Sequence, residues 1–203
     1  MLRAGYRNVA GLDEAGRGAW AGPVVAAAVI LPLDDPALSE RLLGVRDSKL
    51  CTPHQRDALY ERVRQVAVSW AVGAVPASRI DRIGIVCAVR EAMGQALARL
   101  DLLADALIID ALHLPSVQLP QRSIVKADRK CLSVAAASIV AKVTRDREMI
   151  ALDEGYPGYG LAQHKGYGTS LHQLALQRMG PSNTHRWSFA PIAAMVSGRG
   201  KAD

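Results

Sequence analysis

Aromatic residues make up only 4% of this 203-residue chain, and there is a single Phe. An interior must therefore be filled by Ala, Val, Leu and Ile, which the 50% hydrophobic content supplies. Cysteine is sparse too. Cys51, Cys87 and Cys131 are scattered, form no CxxC pair and match no zinc spacing. They fit reduced thiols in a cytosolic protein. Long apolar runs are missing: the longest, from Pro23 to Leu33, is shorter than the roughly 18 residues of a membrane span. Asp13 and Glu14 precede it, which a signal-peptide leader would not carry. The expectation is a cytoplasmic protein with no membrane association. The chain also lacks GxxxxGK[ST], HExxH, GxSxG and GxGxxG. That excludes the usual nucleotide cradle, zinc-protease helix, nucleophile elbow and dinucleotide loop. No repeat or low-complexity tract is present.

Charge is present, and it is unevenly placed. The net charge is +6. Residues 1–119 hold equal numbers of basic and acidic side chains, so the whole excess lies in residues 120–203. A basic part beside an acidic cluster suits a metal-dependent enzyme acting on a polyanion. A merely soluble basic protein would show the same balance.

The acidic cluster begins at Asp13-Glu14, which follows the apolar run Val9-Ala10-Gly11-Leu12. Asp110 follows Ala106-Leu107-Ile108-Ile109, and Asp128 follows Ser123-Ile124-Val125-Lys126-Ala127. Each sits at or just past the C-terminal end of an expected strand, the edge where open α/β sheets bind ligands. Carboxylates converging there would suit hard divalent cations, which take oxygen ligands. Two such ions relieve the repulsion that protects a phosphodiester from attack. The alternative is that Asp13 caps a helix and Glu14 is solvated. Glu14 must lie where its strand ends, because neighbouring strand residues point to opposite faces.

Strands are expected at about Asn8–Leu12, Val24–Leu31, Val66–Val75, Ala106–Asp110 and Ser123–Lys126. Thr52-Pro53-His54-Gln55 reads as a capped helix start, with the helix running to about Gln65. Ile83, Val86, Cys87, Met93, Leu97 and Leu100 predict one long amphipathic helix over residues 80–100. A small-residue helix follows near Leu132–Leu152, and a last short one near Thr169–Met179. The pattern implies a mixed α/β sheet with helices on its faces. It reads as one domain over residues 1–203, with about 155–203 as a C-terminal helical extension.

Three further segments carry candidate binding groups. Gly16-Arg17-Gly18 would let backbone approach a ligand closely, and backbone groups can read a 2′-hydroxyl. An ordinary turn with an exposed Arg is the alternative. Lys49, within Asp47-Ser48-Lys49, offers a lysine to phosphate or a solvated loop. Tyr167, between Gly166 and Gly168, either stacks on a sugar or base or closes a turn. Lys126, Lys142, Arg145 and Arg147 extend the basic surface. His113, His164, His172 and His185 are scattered, and such histidines are usually structural or surface residues.

Taken together these stretches resemble the type 2 ribonucleases H, specifically the bacterial ribonuclease HII family. The match runs in the family's order through residues 11–18, 21–29 and 47–50. It continues through Ile80-Asp81, Lys126-Ala127-Asp128, residues 135–143, Arg145-Asp146, residues 164–169 and residues 185–189. The resemblance implies an RNase H-like fold: a mixed five-stranded sheet flanked by helices, with the C-terminal extension. It implies an endonuclease that cleaves RNA in RNA–DNA hybrids and incises at ribonucleotides embedded in duplex DNA, leaving 3′-hydroxyl and 5′-phosphate ends. It assigns Asp13, Glu14, Asp110 and Asp128 to two Mg²⁺ or Mn²⁺ ions. Gly16, Arg17 and Gly18 are matched to 2′-hydroxyl reading, Tyr167 to stacking on the deoxyribose beyond the RNA–DNA junction, and Lys49 to a substrate phosphate. A monomer is expected.

Two departures stand out. Ala19-Trp20 occupy the place of the family's usual Pro-Leu, and Ala111 follows Asp110 where a Gly is common. No N-terminal platform precedes Asp13, unlike the related ribonuclease HIII, and the tail shows no obvious sliding-clamp peptide. The rival readings are another RNase H-like nuclease, of the resolvase or transposase kind, with DNA as substrate, and a non-catalytic hybrid-binding module.

Overall fold

The computed structural model describes residues 1–45, 48 and 51–199. Its centre is a five-stranded sheet built from β1 (Val9–Ala15), β2 (Val24–Ile30), β3 (Ser69–Val75), β4 (Ala106–Asp110) and β5 (Gln121–Ile124). The spatial order is β3-β2-β1-β4-β5. The first three strands form an antiparallel meander, and β4 and β5 run parallel to β1. This is the expected mixed sheet, and it makes the C-terminal ends of β1 and β4 neighbours.

Alternation along β1 decides what each face receives. Ala10 and Leu12 point to one side, against α4 (Ile85–Ala98), where Ala88, Val89, Ala92, Met93 and Ala96 are buried. Gly11, Asp13 and Ala15 point to the other, toward α5 (Leu132–Gly155). A Cβ on Gly11 would collide with the backbone of Ser133 and Val134. The absent side chain is what lets α5 lie flat on β1. Ala135, Ala136, Ala137 and Ala141 complete that close approach, and after the short α1 (Leu38–Arg41), α2 (Pro53–Val66) packs alongside through Leu59, Tyr60 and Val63. The expected capping box is present: Thr52 Oγ1 accepts from the Gln55 N–H at 3.3 Å and Gln55 Oε1 from the Thr52 N–H at 2.9 Å.

Several boundaries differ from the sequence reading. The single helix over residues 80–100 is two, α3 (Ala77–Ile83) and α4, broken at Gly84 with φ 76°. Glycine alone adopts that conformation cheaply, so the Gly84 N–H closes α3 on Ile80 O while its carbonyl opens α4. The third strand starts at Ser69 because α2 runs to Val66. β5 lies earlier than expected, and Lys126 takes a left-handed φ of 56°. Asp128 is therefore carried by a short 3-10 turn, Ala127–Arg129, and not by the strand end itself.

The C-terminal part forms its own small core of Ala21, Met149, Tyr159, Leu161, Ala175, Leu176 and Ile192. It contains α6 (Leu161–His164), α7 (Ser170–Met179) and α8 (Ala190–Arg199). Only α7, capped by Thr169 Oγ1 on the His172 N–H, was expected. No helix is long and apolar enough to cross a membrane among the described residues.

Candidate active site

β1 delivers Asp13 and Glu14 to one end of the sheet. Both fall within the last three residues of the strand, and both line one cavity of about 280 Å³ despite their opposite alternation. Against expectation, Glu14 does not lie past a strand ending near Leu12: β1 stays paired through Ala15, and Glu14 reaches the cavity from the strand's penultimate position. Asp13 is buried, with Oδ1 accepting the Glu14 N–H at 2.8 Å. Ser138 on α5 also bonds its carboxyl, and Ser138 is in turn joined to Ser48 at 3.0 Å. Burial, then the charge of Glu14, and more weakly that of Asp110, push the Asp13 carboxyl up to about 7.

Asp110 closes the same cavity from β4. Its Oδ1 accepts the Ala127 N–H at 3.0 Å, which ties the turn carrying Asp128 to the strand end. Ala111, next in the chain, has φ 50°. That is the conformation a glycine would hold without strain. Asp128 is buried beside this junction but does not line the cavity. The structure thus gathers Asp13, Glu14 and Asp110, and places Asp128 one residue from the group that Asp110 binds.

Gly16, Arg17 and Gly18 form the rim. Gly16 has φ 85°, and a Cβ there would run into the Arg145 guanidinium. At Gly18 a Cβ would meet no described residue within 4 Å. Packing therefore explains the first glycine and not the second. Arg17 is exposed, with Nη1 3.6 Å from Glu14 Oε1.

Two fully buried arginines hold this rim from behind. Arg145 donates from Nε to Pro23 O (2.9 Å) and from Nη2 to Ala21 O (3.1 Å). Arg186 donates from Nε to Gly22 O (3.1 Å) and from Nη1 to Arg17 O (2.9 Å). Burial lowers both, Arg186 to about 9, and among the described residues Arg145 Nη1 and Arg186 Nη2 have no hydrogen-bond partner. Arg145 is an interior strut and not part of the basic surface where its sequence pattern puts it. Arg186 was not singled out at all, and its only sequence signal was membership of the matched stretch 185–189.

Tyr167 faces the cavity from the loop between α6 and α7. Its ring lies 5.4 Å from the Arg145 guanidinium and 5.7 Å from Lys142 Nζ. Lys142, also on the cavity wall, is paired with Asp146 at 2.6 Å. Trp20 packs beneath this loop: its N–H bonds Gly166 O at 2.8 Å, and its ring leaves no room for a side chain at residue 168. Lys49 lies outside the described residues.

The donor set fits hard cations. It is all oxygen, and two neighbouring carboxylates raise the proton affinity of a third, a repulsion that a cation would cancel. Among the described residues no three His, Cys, Asp or Glu side chains already stand as a closed metal cage. The carboxylates are gathered around one cavity and coupled, but they are not drawn in.

The comparisons agree with this geometry. The model of the ribonuclease HII family matches residues 10–192. The chain belongs to the ribonuclease HII family. A ribonuclease HII of Roseiflexus castenholzii is 59% identical over 196 residues, covering 97% of this chain and 88% of that one. The solved ribonuclease H2 of Pyrococcus horikoshii OT3 superposes with a TM-score of 0.79 at 27% identity, covering 97% of this chain and all of that one. A structure of Bst-RNase HIII in complex with Mn²⁺ shares the fold, with a TM-score of 0.70 at 21% identity, covering 97% of this chain and 71% of that one. Family membership makes the chain a metal-dependent ribonuclease H, an endonuclease.

Proposed function

We propose that this enzyme cuts on the 5′ side of ribonucleotides embedded in duplex DNA, as well as within the RNA strand of RNA–DNA hybrids, leaving 3′-hydroxyl and 5′-phosphate ends. One observation carries the reading: Asp13, Glu14, Asp110, the Gly16-Arg17-Gly18 rim and Tyr167 all line one cavity. A carboxylate set alone would serve any phosphodiesterase. Joined to a glycine rim and an aromatic, it can distinguish a ribose from a deoxyribose.

Asp13, Glu14, Asp110 and Asp128 would hold two divalent cations, Mg²⁺ or Mn²⁺, which supply charge neutralisation at the phosphate and an activated water. The protein's own groups do the selecting. The exposed backbone at Arg17-Gly18, open at the second glycine, is placed to exchange hydrogen bonds with a 2′-hydroxyl. Tyr167, backed by Arg145, offers its ring to the sugar that follows. Lys142 and, beyond it, Arg56, Arg147 and Lys165 around a neighbouring cavity of about 580 Å³ provide cations for the phosphate backbone. It would work as a single catalytic domain and a monomer, and a cytoplasmic location accords with three cysteines that form no disulfide.

Matched duplexes test the proposal: all-DNA, DNA with one embedded ribonucleotide, and a uniform RNA–DNA hybrid, each with Mg²⁺ or Mn²⁺. A single 5′-side cut at the ribonucleotide, with all-DNA left intact, is expected. Cutting of all-DNA would favour a resolvase-like nuclease, and binding without any cutting would favour a hybrid-binding module.

A further inference from the structure

The loop that carries Tyr167 is awkward to hold. Lys165 (φ 52°) and Gly166 (φ 77°) are both left-handed just before it. Such conformations persist only where the surroundings over-determine them. The surroundings here are three histidine rings, His164, His172 and His185, all buried.

A chain of hydrogen bonds starts at Ser182, whose backbone N–H donates to His185 Nδ1 at 2.9 Å. His185 Nε2 meets His172 Nε2 at 3.0 Å, and His172 Nδ1 meets the Tyr167 carbonyl oxygen at 3.0 Å. The two ends dictate the middle. A carbonyl only accepts, so His172 Nδ1 carries a hydrogen; a backbone N–H only donates, so His185 Nδ1 carries none. The central contact needs one donor and one acceptor, so His185 Nε2–H donates to a bare His172 Nε2. Both rings are neutral, each in one tautomer. His164 is fixed by the same logic, accepting the Gly166 N–H on Nδ1 (3.1 Å) and donating from Nε2 to Tyr159 O (2.8 Å).

A proton added to either ring of the pair breaks the chain. On His172 it would set two N–H groups against each other; on His185 it would set a new N–H against the Ser182 amide. The groups facing the pair are the His164 ring stacked on His172 at 4.2 Å and Trp20 at 5.8 Å. Tyr159 lies 5.0 Å from His185, and Ser182 Oγ lies 3.0 Å from its Nδ1. Arg186, next in the chain, turns its guanidinium away to Gly22 and Arg17. Burial, with the nearby His164, holds both His172 and His185 down at about 4.

We infer that His172 and His185 are positioning residues, forming a one-directional hydrogen-bond strut from Ser182 that fixes the Tyr167 peptide and thereby aims its ring at the substrate. The inference rests on the reading of Tyr167 as a substrate contact. It gives the histidine-rich C-terminal part a task besides packing, because each neutral ring donates from one nitrogen and accepts on the other, which joins these groups in line.

Two measurements test it. Imidazole ¹⁵N NMR of the wild-type protein between pH 5.5 and 8 should show neutral His172 with Nδ1–H and neutral His185 with Nε2–H. Titration of either ring near 6.5, or the opposite tautomers, overturns the strut. The second measurement is a double-mutant cycle on the single-ribonucleotide duplex. His172→Phe keeps a ring and removes both bonds; it should lower kcat/KM about tenfold in the wild type and less than about twofold in Tyr167→Ala. The thermal shift should be the same in both backgrounds. Equal kinetic losses in both backgrounds overturn the strut while leaving the Tyr167 reading in place. No loss from Tyr167→Ala alone overturns that reading and, with it, the positioning role.

Discussion

The carboxylates of β1 and β4 and the tyrosine of the C-terminal loop face one cavity but are held there by opposite means. Asp13 is fixed by sheet register and by α5 packed flat on Gly11. The frame is apolar and regular, and the charges it presents repel one another. Tyr167 is held by irregular chain, two buried arginines and a neutral histidine pair. There the frame is polar: its carbonyls and ring nitrogens are matched, while Arg145 and Arg186 each keep one buried nitrogen without a partner among the described residues. The first wall stores the cost of buried like-charged carboxylates, which a divalent cation would relieve; the second stores the cost of two buried guanidiniums, offset by the carbonyls they bind. A rigid hydrocarbon frame can force carboxylates together, whereas a polar one holds only while most of its groups are matched.

The sharpest way to break the contrast is Asp13→Asn. Cleavage should fall on the order of a thousandfold, while the metal-free protein at pH 8 unfolds at a higher temperature than the wild type. A lower unfolding temperature there would show that the first wall carries no repulsion. On the second wall, Arg186→Met should destabilise by about 2–4 kcal/mol, because four carbonyls of residues 17–23 share two arginine forks. Chemical denaturation reads this directly, and a change under about 0.5 kcal/mol would contradict the strut.

The two rim glycines separate fold from function. Gly16→Ala should cost about 1–3 kcal/mol through its positive φ and the Arg145 contact. Gly18→Ala should stay within about 0.5 kcal/mol of wild-type stability yet still lose single-ribonucleotide cleavage. Equal stability for the two variants would remove the distinction.

The pH dependence should have opposite signs on the two walls. The Asp13 carboxyl is raised from 3.8 to about 7, so its contribution in metal-free protein is present below about 4 and lost as pH rises through 7. His172 and His185 are lowered from 6.5 to about 4, so their contribution is present above about 6.5 and lost as pH falls toward 4. Thermal unfolding across pH 4–8 should therefore lose its alkaline fall in Asp13→Asn and show a shallower acid fall in His172→Phe, where His185 alone remains lowered. Mn²⁺ should raise the unfolding temperature more at pH 8 than at pH 5. The smallest effect belongs to Ala111→Gly, which relieves a left-handed alanine and should stabilise by about 0.5–1 kcal/mol.

Much of the first wall was legible in advance. Apolar runs ending in acids marked the strands and the mixed sheet; that β4 lies beside β1 came only from the strand order. The helix break at Gly84 was missed because apolar spacing continues across it, and the late position of Asp128 because β5 stops at Ile124. Arg145 read as basic surface, Arg186 carried no signal of its own, and the histidines read as structural or surface residues, since nothing local announces that a charged or titratable group will be buried.

Local pattern alone settled the presence of five strands, the Thr52 and Thr169 helix starts and the family resemblance, because those depend mostly on neighbours within a few positions. Which carboxylates share a cavity, which glycine is demanded by packing, and which ring hydrogens point toward Tyr167 were decided only in three dimensions. Each of these depends on partners up to about 170 residues away, as between Arg186 and Arg17, and contacts at that separation leave no periodic mark in the chain.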